Sequence, residues 1–346
     1  MNFNLLGRDI GDEISPLAVC EMGINHGGSL EKAISMIEAA NSAGAEVIKL
    51  QTHIAKHEMS SEALKIVPQH CEQSIYQIIE DSSLSLSDEK ILFEYAGKKG
   101  IRIFSTPFSR EAVDHLLTLG VGAFKVGSGE CNNWPLLDYI ASQKLPIIVS
   151  TGMHGLDTVT KAVDTVTKHT SKLALMHCTN LYPTPSHLVR LGGVADLKKH
   201  FPDFQIGLSD HTKTNYSCFG AIALGANFVE KHFCLSHQDE GPDIVCSNDP
   251  TEWRELMAGC HEIFLARGGN KTEIREEQDT RNFAFASVVA IRDIAAGETL
   301  SSENIWVKRP AGGDFSTDEY YGLLGRQVME NIEADTQVRR YQISWS

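Results

Sequence analysis

One event, repeated eight times between Leu17 and His232, limits what this chain can fold into: a short apolar run breaks off at a polar, ionisable or hydroxyl residue. The runs are LAVCE, ending at Glu21; EVIKLQ, with Lys49 and Gln51; IRIFST, ending at Thr106; and GAFKVGSGE, with Lys125, Ser128 and Glu130. PIIVST follows with Ser150 and Thr151, then LALMHCTN with His177 and Asn180, QIGLSDH with Ser209 and His211, and NFVEKHF with Lys231 and His232. Each has the length and β-branched content of a buried parallel strand, and amphipathic stretches such as SLEKAISMIEAANSAG and GLDTVTKAVDTVTKH separate most of them. Eight βα units read as a closed (β/α)8 TIM barrel, an α/β fold in which chemistry gathers where the strands end. The terminal residues therefore form one set of candidates for one pocket.

A barrel takes about 250 residues, so a chain of 346 with 42% apolar residues has room for one more small module. The formal charge of −14 argues against general nucleic-acid binding, because a phosphate polymer would meet a repulsive surface. A small anionic substrate would need cations converging locally. Eight cysteines, scattered with no CxxC pair, read as the reduced thiols of a cytoplasmic protein. MNFNLLGRDIGDEIS lacks a cationic segment followed by an apolar one, and no run reaches membrane-spanning length. The expectation is a soluble, unsecreted protein with no membrane partner.

Residues 1–268 read as the barrel and 269–282, within GGNKTEIREEQDTRN, as a polar linker. Residues 283–346 read as a small β-rich domain, with strand-like ASVVAIRDI and ENIWVKRP around the turn AAGET and a helix-like DEYYGLL. The stretch from His53 to Leu86 is too long for an ordinary βα connection and is read as a lid or binding loop.

His211 and His232 close neighbouring strands, so they either share a divalent metal with open positions or are two hydrogen-bonded structural histidines. His177 and His154 are weaker candidates that could simply line the pocket. Lys49, Lys125 and Lys231 lie in apolar runs, where an unpaired ammonium is costly. With Thr106, Ser128, Ser150 and Ser209 they would surround a phosphate and a carboxylate. Lys231 has the alternative of a structural pair with Glu21 or Glu230. Gly127 and Gly129 allow close backbone approach to a ligand. Glu21 and Glu130 aim two carboxylates at the same mouth, suited to base or water-positioning work or to neutralising a lysine.

Read together, CEMGINHGGSLEKA, AGAEVIKLQTH, FSTPFS, KVGSGE, STGM, HCTNLYPTP, IGLSDHT, EKHF and GPD resemble the sialic acid synthase family. Those enzymes condense phosphoenolpyruvate with an N-acetylmannosamine-type sugar. SVVAIRDIAAGETLSSENIWVKRP is similar to that family's C-terminal antifreeze-like (SAF) domain, so the resemblance runs through nearly the whole chain.

The resemblance implies that Lys49, Thr106, Lys125, Ser128, Ser150, Asn180, Tyr182 and Ser209 hold phosphoenolpyruvate. It implies that His211 and His232 bind Mn2+ or Mg2+, and that Gln51, Glu130 and Asp243 face the sugar. Arg309 matches an arginine that, in the family's domain-exchanged homodimers, reaches the partner's barrel and contacts the N-acetyl group. Glu130, Glu21 and Lys125 are the catalytic candidates: carbon 3 of phosphoenolpyruvate attacks the sugar aldehyde, water adds at carbon 2, and phosphate leaves by C–O cleavage. Four departures fall around the sugar side: NHGG for NHNG, Phe285 and Ala286 for two arginines, RPAGGD for Arg-Pro-Gly-x-Gly, and CSNDP after GPDIV. The acceptor is thus N-acetylmannosamine, or a 2,4-diacetamido-trideoxy hexose leading to a legionaminic- or pseudaminic-type acid. A non-catalytic carbohydrate-binding protein on the same scaffold is the reading from another class. An unrelated metal-dependent isomerase or hydrolase would need more carboxylate ligands than the sequence offers.

Overall fold

An antiparallel hairpin, Phe3–Leu5 (β1) and Arg8–Ile10 (β2), comes first, and the eight apolar runs follow as parallel strands in the computed structural model, which describes residues 3–67 and 72–345. The strands are Leu17–Glu21 (β3), Val47–Thr52 (β4), Arg102–Pro107 (β5), Phe124–Val126 (β6), Ile147–Ser150 (β7), Leu173–Cys178 (β8), Gln205–Asp210 (β9) and Phe228–His232 (β10). They hydrogen-bond in chain order, and β10 closes the circle by pairing with both β9 and β3. This is the expected TIM barrel.

Nearly every strand residue is buried, because each strand packs on the barrel interior with one face and on helices with the other. The helix Leu30–Ser42 shows the pattern: Ala33, Met36, Ile37 and Ala40 recur at helical spacing and are fully buried, and Ser29 caps the first turn by accepting from the Lys32 amide. The hairpin adds Phe3, Leu5 and Ile10 to the same core.

The excursion after His53 contains the helix Ala55–Glu58, a 3-10 turn at Ser61–Lys65 and the helix Ile75–Ser82, whose start is fixed by a reciprocal Ser74–Gln77 capping box. Residues 68–71 of this excursion, Cys71 among them, lie outside the described residues. The other seven cysteines are free and buried. Among the described residues, no helix is long and apolar enough to cross a membrane.

The chain divides into two compact units, 1–268 and 269–346. In the second, Ser287–Ala290 (β11) pairs antiparallel with Ile305–Lys308 (β12) over a small core that includes Val288, Ile305, Phe315, Val338 and Ile343. A short helix, Tyr320–Leu323, falls within DEYYGLL. The polar 269–282 stretch contains a 3-10 turn, Arg275–Glu277, and most of the helix Gln278–Ala284. Arg281 supports it by pairing with Glu273 at 2.7 Å.

Candidate active site

Successive side chains of a strand point to opposite faces, so each run contributes alternate residues to the barrel mouth. Glu21, Lys49, Gln51, Thr106, Lys125, Ser128, Glu130, Ser150, Asn180, Tyr182, Ser209, His211, His232 and Asp243 all line one cavity of about 750 Å3. These candidates from the first unit are therefore brought together, with Gly127 and Gly129 beside them, whereas Thr151, His154, His177 and Lys231 are not among the lining residues. Arg309 belongs to the second unit and is exposed there, just after β12.

The centre of this cavity is a carboxylate that sequence reading treated only as a lysine's partner. Glu230 Oε1 accepts from Ser209 Oγ at 3.2 Å and lies 3.3 Å from both the Lys49 and Lys125 ammoniums. Lys49 also pairs with Glu21 at 3.0 Å and donates to Thr106 Oγ1 at 3.3 Å. All four charged side chains are at most 5% exposed, so each needs the others. Burial works against the charge on Glu230, but Lys125 and Lys49 outweigh it and hold its carboxyl below the usual range. Glu21 has only one close lysine; burial prevails and its carboxyl is raised. Burial likewise lowers Lys125, whereas the two carboxylates beside Lys49 overcome its burial and raise it.

Lys231 does not join this group. It faces the other side of β10, opposite Asp210 in register, and pairs with it at 2.5 Å while donating to the Thr212 carbonyl. The expected partners Glu21 and Glu230 are thus replaced by Asp210, because strand alternation puts residues 230 and 232 on the mouth and 231 behind it. His177 and His154 line a neighbouring cavity of about 690 Å3 instead, and lie within hydrogen-bonding distance of the Val189 and Ser128 carbonyls respectively.

The histidine pair passes a test of donor chemistry. His211 Nδ1 lies 2.9 Å from the Thr179 carbonyl, so it carries the proton and Nε2 keeps a lone pair. The His211 and His232 ring centroids are 5.4 Å apart, and His232 Nδ1 is buried without a hydrogen-bond partner among the described residues. Burial lowers both imidazoles, His232 to about 4, which keeps them in the neutral, ligating form. The donor set fits a divalent cation. A tighter group of three ligand-type side chains, His237, Asp249 and Glu252, lies elsewhere, and its carboxylates already form the capping box of the helix Pro250–Ala266.

Tyr182 packs over His211 at 4.1 Å between ring centroids, and Asp243 Oδ2 lies 3.5 Å from His232 Nδ1. Sequence reading missed Phe108, Ile75, Ile78 and Ile79, which also line the cavity, the isoleucines from the long excursion. It also gave no role to His53, although QTH places that residue two positions after Gln51, on the same strand face. One sequence departure is explained: Gly27 has φ +57° with open space around it, a conformation that asparagine tolerates best among residues with side chains, so NHGG and NHNG are backbone equivalents. The RPAGGD loop around Arg309 is tied down by Ser287 Oγ, which donates to the Pro310 carbonyl and accepts from the Gly313 amide.

The NeuB family model matches residues 36–272, and the SAF domain model matches residues 285–340. The chain is 37% identical over 331 residues to the N,N'-diacetyllegionaminic acid synthase of Campylobacter jejuni subsp. jejuni serotype O:2, an alignment covering 93% of this chain and 98% of that protein. It is 30% identical over 336 residues to the N-acetylneuraminate-9-phosphate synthase of Mus musculus, covering 96% and 94% respectively. The solved N-acetylneuraminic acid synthetase of Leptospira borgpetersenii serovar Hardjo-bovis is similar with a TM-score of 0.74 at 28% identity, covering 81% of this chain and 95% of that one. The chain belongs to the NeuB family, as a synthase barrel followed by a SAF domain.

Proposed function

We propose that the protein condenses phosphoenolpyruvate with an N-acetylmannosamine-type sugar to give a sialic acid-type nonulosonic acid and phosphate. The observation that carries this reading is the convergence of Lys49 and Lys125 with Thr106, Ser128, Ser150, Asn180 and Ser209 in one cavity. Two cations and a ring of hydroxyl and amide groups complement a small molecule bearing both a phosphate and a carboxylate. Tyr182 completes that side; Gln51, Glu130 and Asp243 face the sugar. Arg309 is supplied by the SAF domain of a partner copy in a domain-exchanged homodimer. Buried free thiols support a cytoplasmic setting.

A divalent cation, Mn2+ or Mg2+, held by His211 and His232 would act as a Lewis acid on the sugar's carbonyl oxygen. The chain's own residues do the rest. Lys49 and Lys125 hold the two anionic groups while carbon 3 attacks the aldehyde carbon, and Glu230 keeps those lysines oriented. Glu130 takes a proton from the water that adds at carbon 2, after which the carbon–oxygen bond to phosphate breaks. Much of the rate comes from charges fixed in advance.

The 37% identity to a diacetyllegionaminic acid synthase favours a second acceptor, a 2,4-diacetamido-trideoxy hexose, for the same chemistry. Phosphate release with phosphoenolpyruvate, Mn2+ and a panel of amino sugars tests both. Release should require an acceptor, stop after chelation and return with metal, and 18O placed in the bridging position should leave with phosphate. No turnover with any acceptor would favour a non-catalytic carbohydrate-binding protein.

A further inference from the structure

Three hydrogen bonds in the cavity wall form a chain between two carboxylates. Both Glu58 oxygens face His53 Nδ1, at 2.9 and 3.1 Å. His53 Nε2 lies 3.0 Å from Gln51 Oε1, and Gln51 Nε2 lies 2.7 Å from Glu21 Oε1. The His53 and Glu58 side chains are 5% and 7% exposed, so the pair is largely withdrawn from bulk solvent. The His53 ring lies flat on Phe108, with centroids 4.1 Å apart and planes 12° from parallel.

Counting donors locates the protons. A carboxylate only accepts, an amide nitrogen only donates and an amide oxygen only accepts. Glu21 Oε2 lies 3.0 Å from the Lys49 ammonium, a pairing that favours the anion against the burial that raises this carboxyl. With Glu21 ionised, Gln51 turns its NH2 toward it, which leaves the amide oxygen facing His53 Nε2. That nitrogen has to carry a proton. Nδ1 faces a second carboxylate, so the chain closes only with one proton more than a neutral imidazole and two carboxylates possess. Between Glu58 and His53, the imidazole is the stronger base by about two pKa units in water.

We infer that His53 is a standing imidazolium, paired with Glu58, whose Nε2–H fixes the orientation of the Gln51 amide in the cavity. The other titratable groups facing His53 are Glu130 and His26. The competing arrangement reverses the Gln51 amide, puts the extra proton on Glu21 and leaves His53 neutral. His53 is a positioning residue: it acts through Gln51.

The protonation state can be read without any assay of activity. Full-length protein with 15N in its histidine rings would be studied by ring nitrogen–proton correlation NMR, and His53→Gln would identify the His53 signals. At about pH 8, above the ~6.5 at which a free imidazole loses its proton, both His53 nitrogens should still carry protons. Glu58→Gln should return the ring to the neutral form at that pH. A bare His53 nitrogen in the wild-type protein at about pH 8 overturns the inference.

The positioning role rests on the proposed reaction, in which Gln51 faces the sugar. Replacing both partners, His53→Phe with Glu58→Leu, removes the donor without stranding a buried carboxylate, and should raise KM for the acceptor about tenfold with KM for phosphoenolpyruvate nearly unchanged. His53→Gln, whose amide can still donate to Gln51, should restore most of that loss. Equal KM changes for both substrates, or no change for either, would overturn the positioning role. If wild-type enzyme turns over no acceptor at all, the proposed function fails while the NMR result still decides the state of His53.

Discussion

Glu130 lies in the cavity wall, where burial pushes its carboxyl above the ordinary value of 4.5. A raised folded-state value means that the fold tolerates the acid better than the anion. Below the unfolded pKa both states are protonated and there is no penalty; as pH rises through the folded value, stability is lost. Glu130→Gln removes that loss, so the variant should be more stable than wild type at neutral pH, a gap closing below about pH 4. Urea midpoints measured across that range test it, and a variant less stable at neutral pH would refute it. The same change should abolish phosphate release under the proposed role, a local trade of stability for chemistry. Residue roles were only partly legible beforehand. EKH shows a glutamate, a lysine and a histidine in succession, and a strand's two-residue period already puts Glu230 with His232 and sets Lys231 apart. What the sequence does not contain is the cross-strand register that sets Asp210 opposite Lys231; that depends on the stagger of two strands closing a barrel.

The eight barrel strands were readable because strands buried on both faces must be apolar throughout, which leaves a continuous run in the sequence. The hairpin was not. FNL and RDI are three residues each, too short for alternation to stand out, and the turn between them is Leu6-Gly7 rather than the usual Asn-Gly. The helix Ile75–Ser82 escaped for a different reason: it has no fully buried residue, so its apolar side serves the cavity instead of a core. Loops at strand ends carry the finest constraints. After β7, the Gly152 amide donates to Ser128 Oγ at 3.1 Å, and a Cβ at this position would overlap Asn180 and come within 2.9 Å of that hydroxyl. Gly152→Ala should therefore displace two proposed phosphoenolpyruvate ligands that follow different strands, β6 and β8. Overpacking of this kind costs about 1–3 kcal/mol, and KM for phosphoenolpyruvate should rise at least tenfold (about 1.4 kcal/mol) with little change in KM for the acceptor. Unchanged phosphoenolpyruvate kinetics would remove Ser128 and Asn180 from that role.

At the scale of the whole molecule, the proposed domain exchange predicts complementation. His232→Ala damages a barrel and Arg309→Ala damages a cap, so in a mixed dimer one site collects both lesions and the other is intact. After dissociation and random reassociation, roughly a quarter of all sites should work, as expected for a two-fold assembly with exchanged domains. Verified heterodimers without activity, built from two inactive parents, would rule exchange out. A last consequence concerns encounter. The protein has a formal charge of −14, and its cavity lysines are enclosed and matched by carboxylates, Lys49 by Glu21 and Glu230 and Lys125 by Glu230. Little positive potential extends past the mouth, so an anionic donor approaches a body that repels it at long range and attracts it only on contact. Raising ionic strength from about 0.01 to about 0.15 M shrinks the screening length from about 30 to about 8 Å. Capture of phosphoenolpyruvate, read as kcat/KM, should accelerate over that interval, the reverse of an electrostatically steered enzyme. Arrival of the donor would then be governed by the salt of its surroundings as much as by the architecture that receives it.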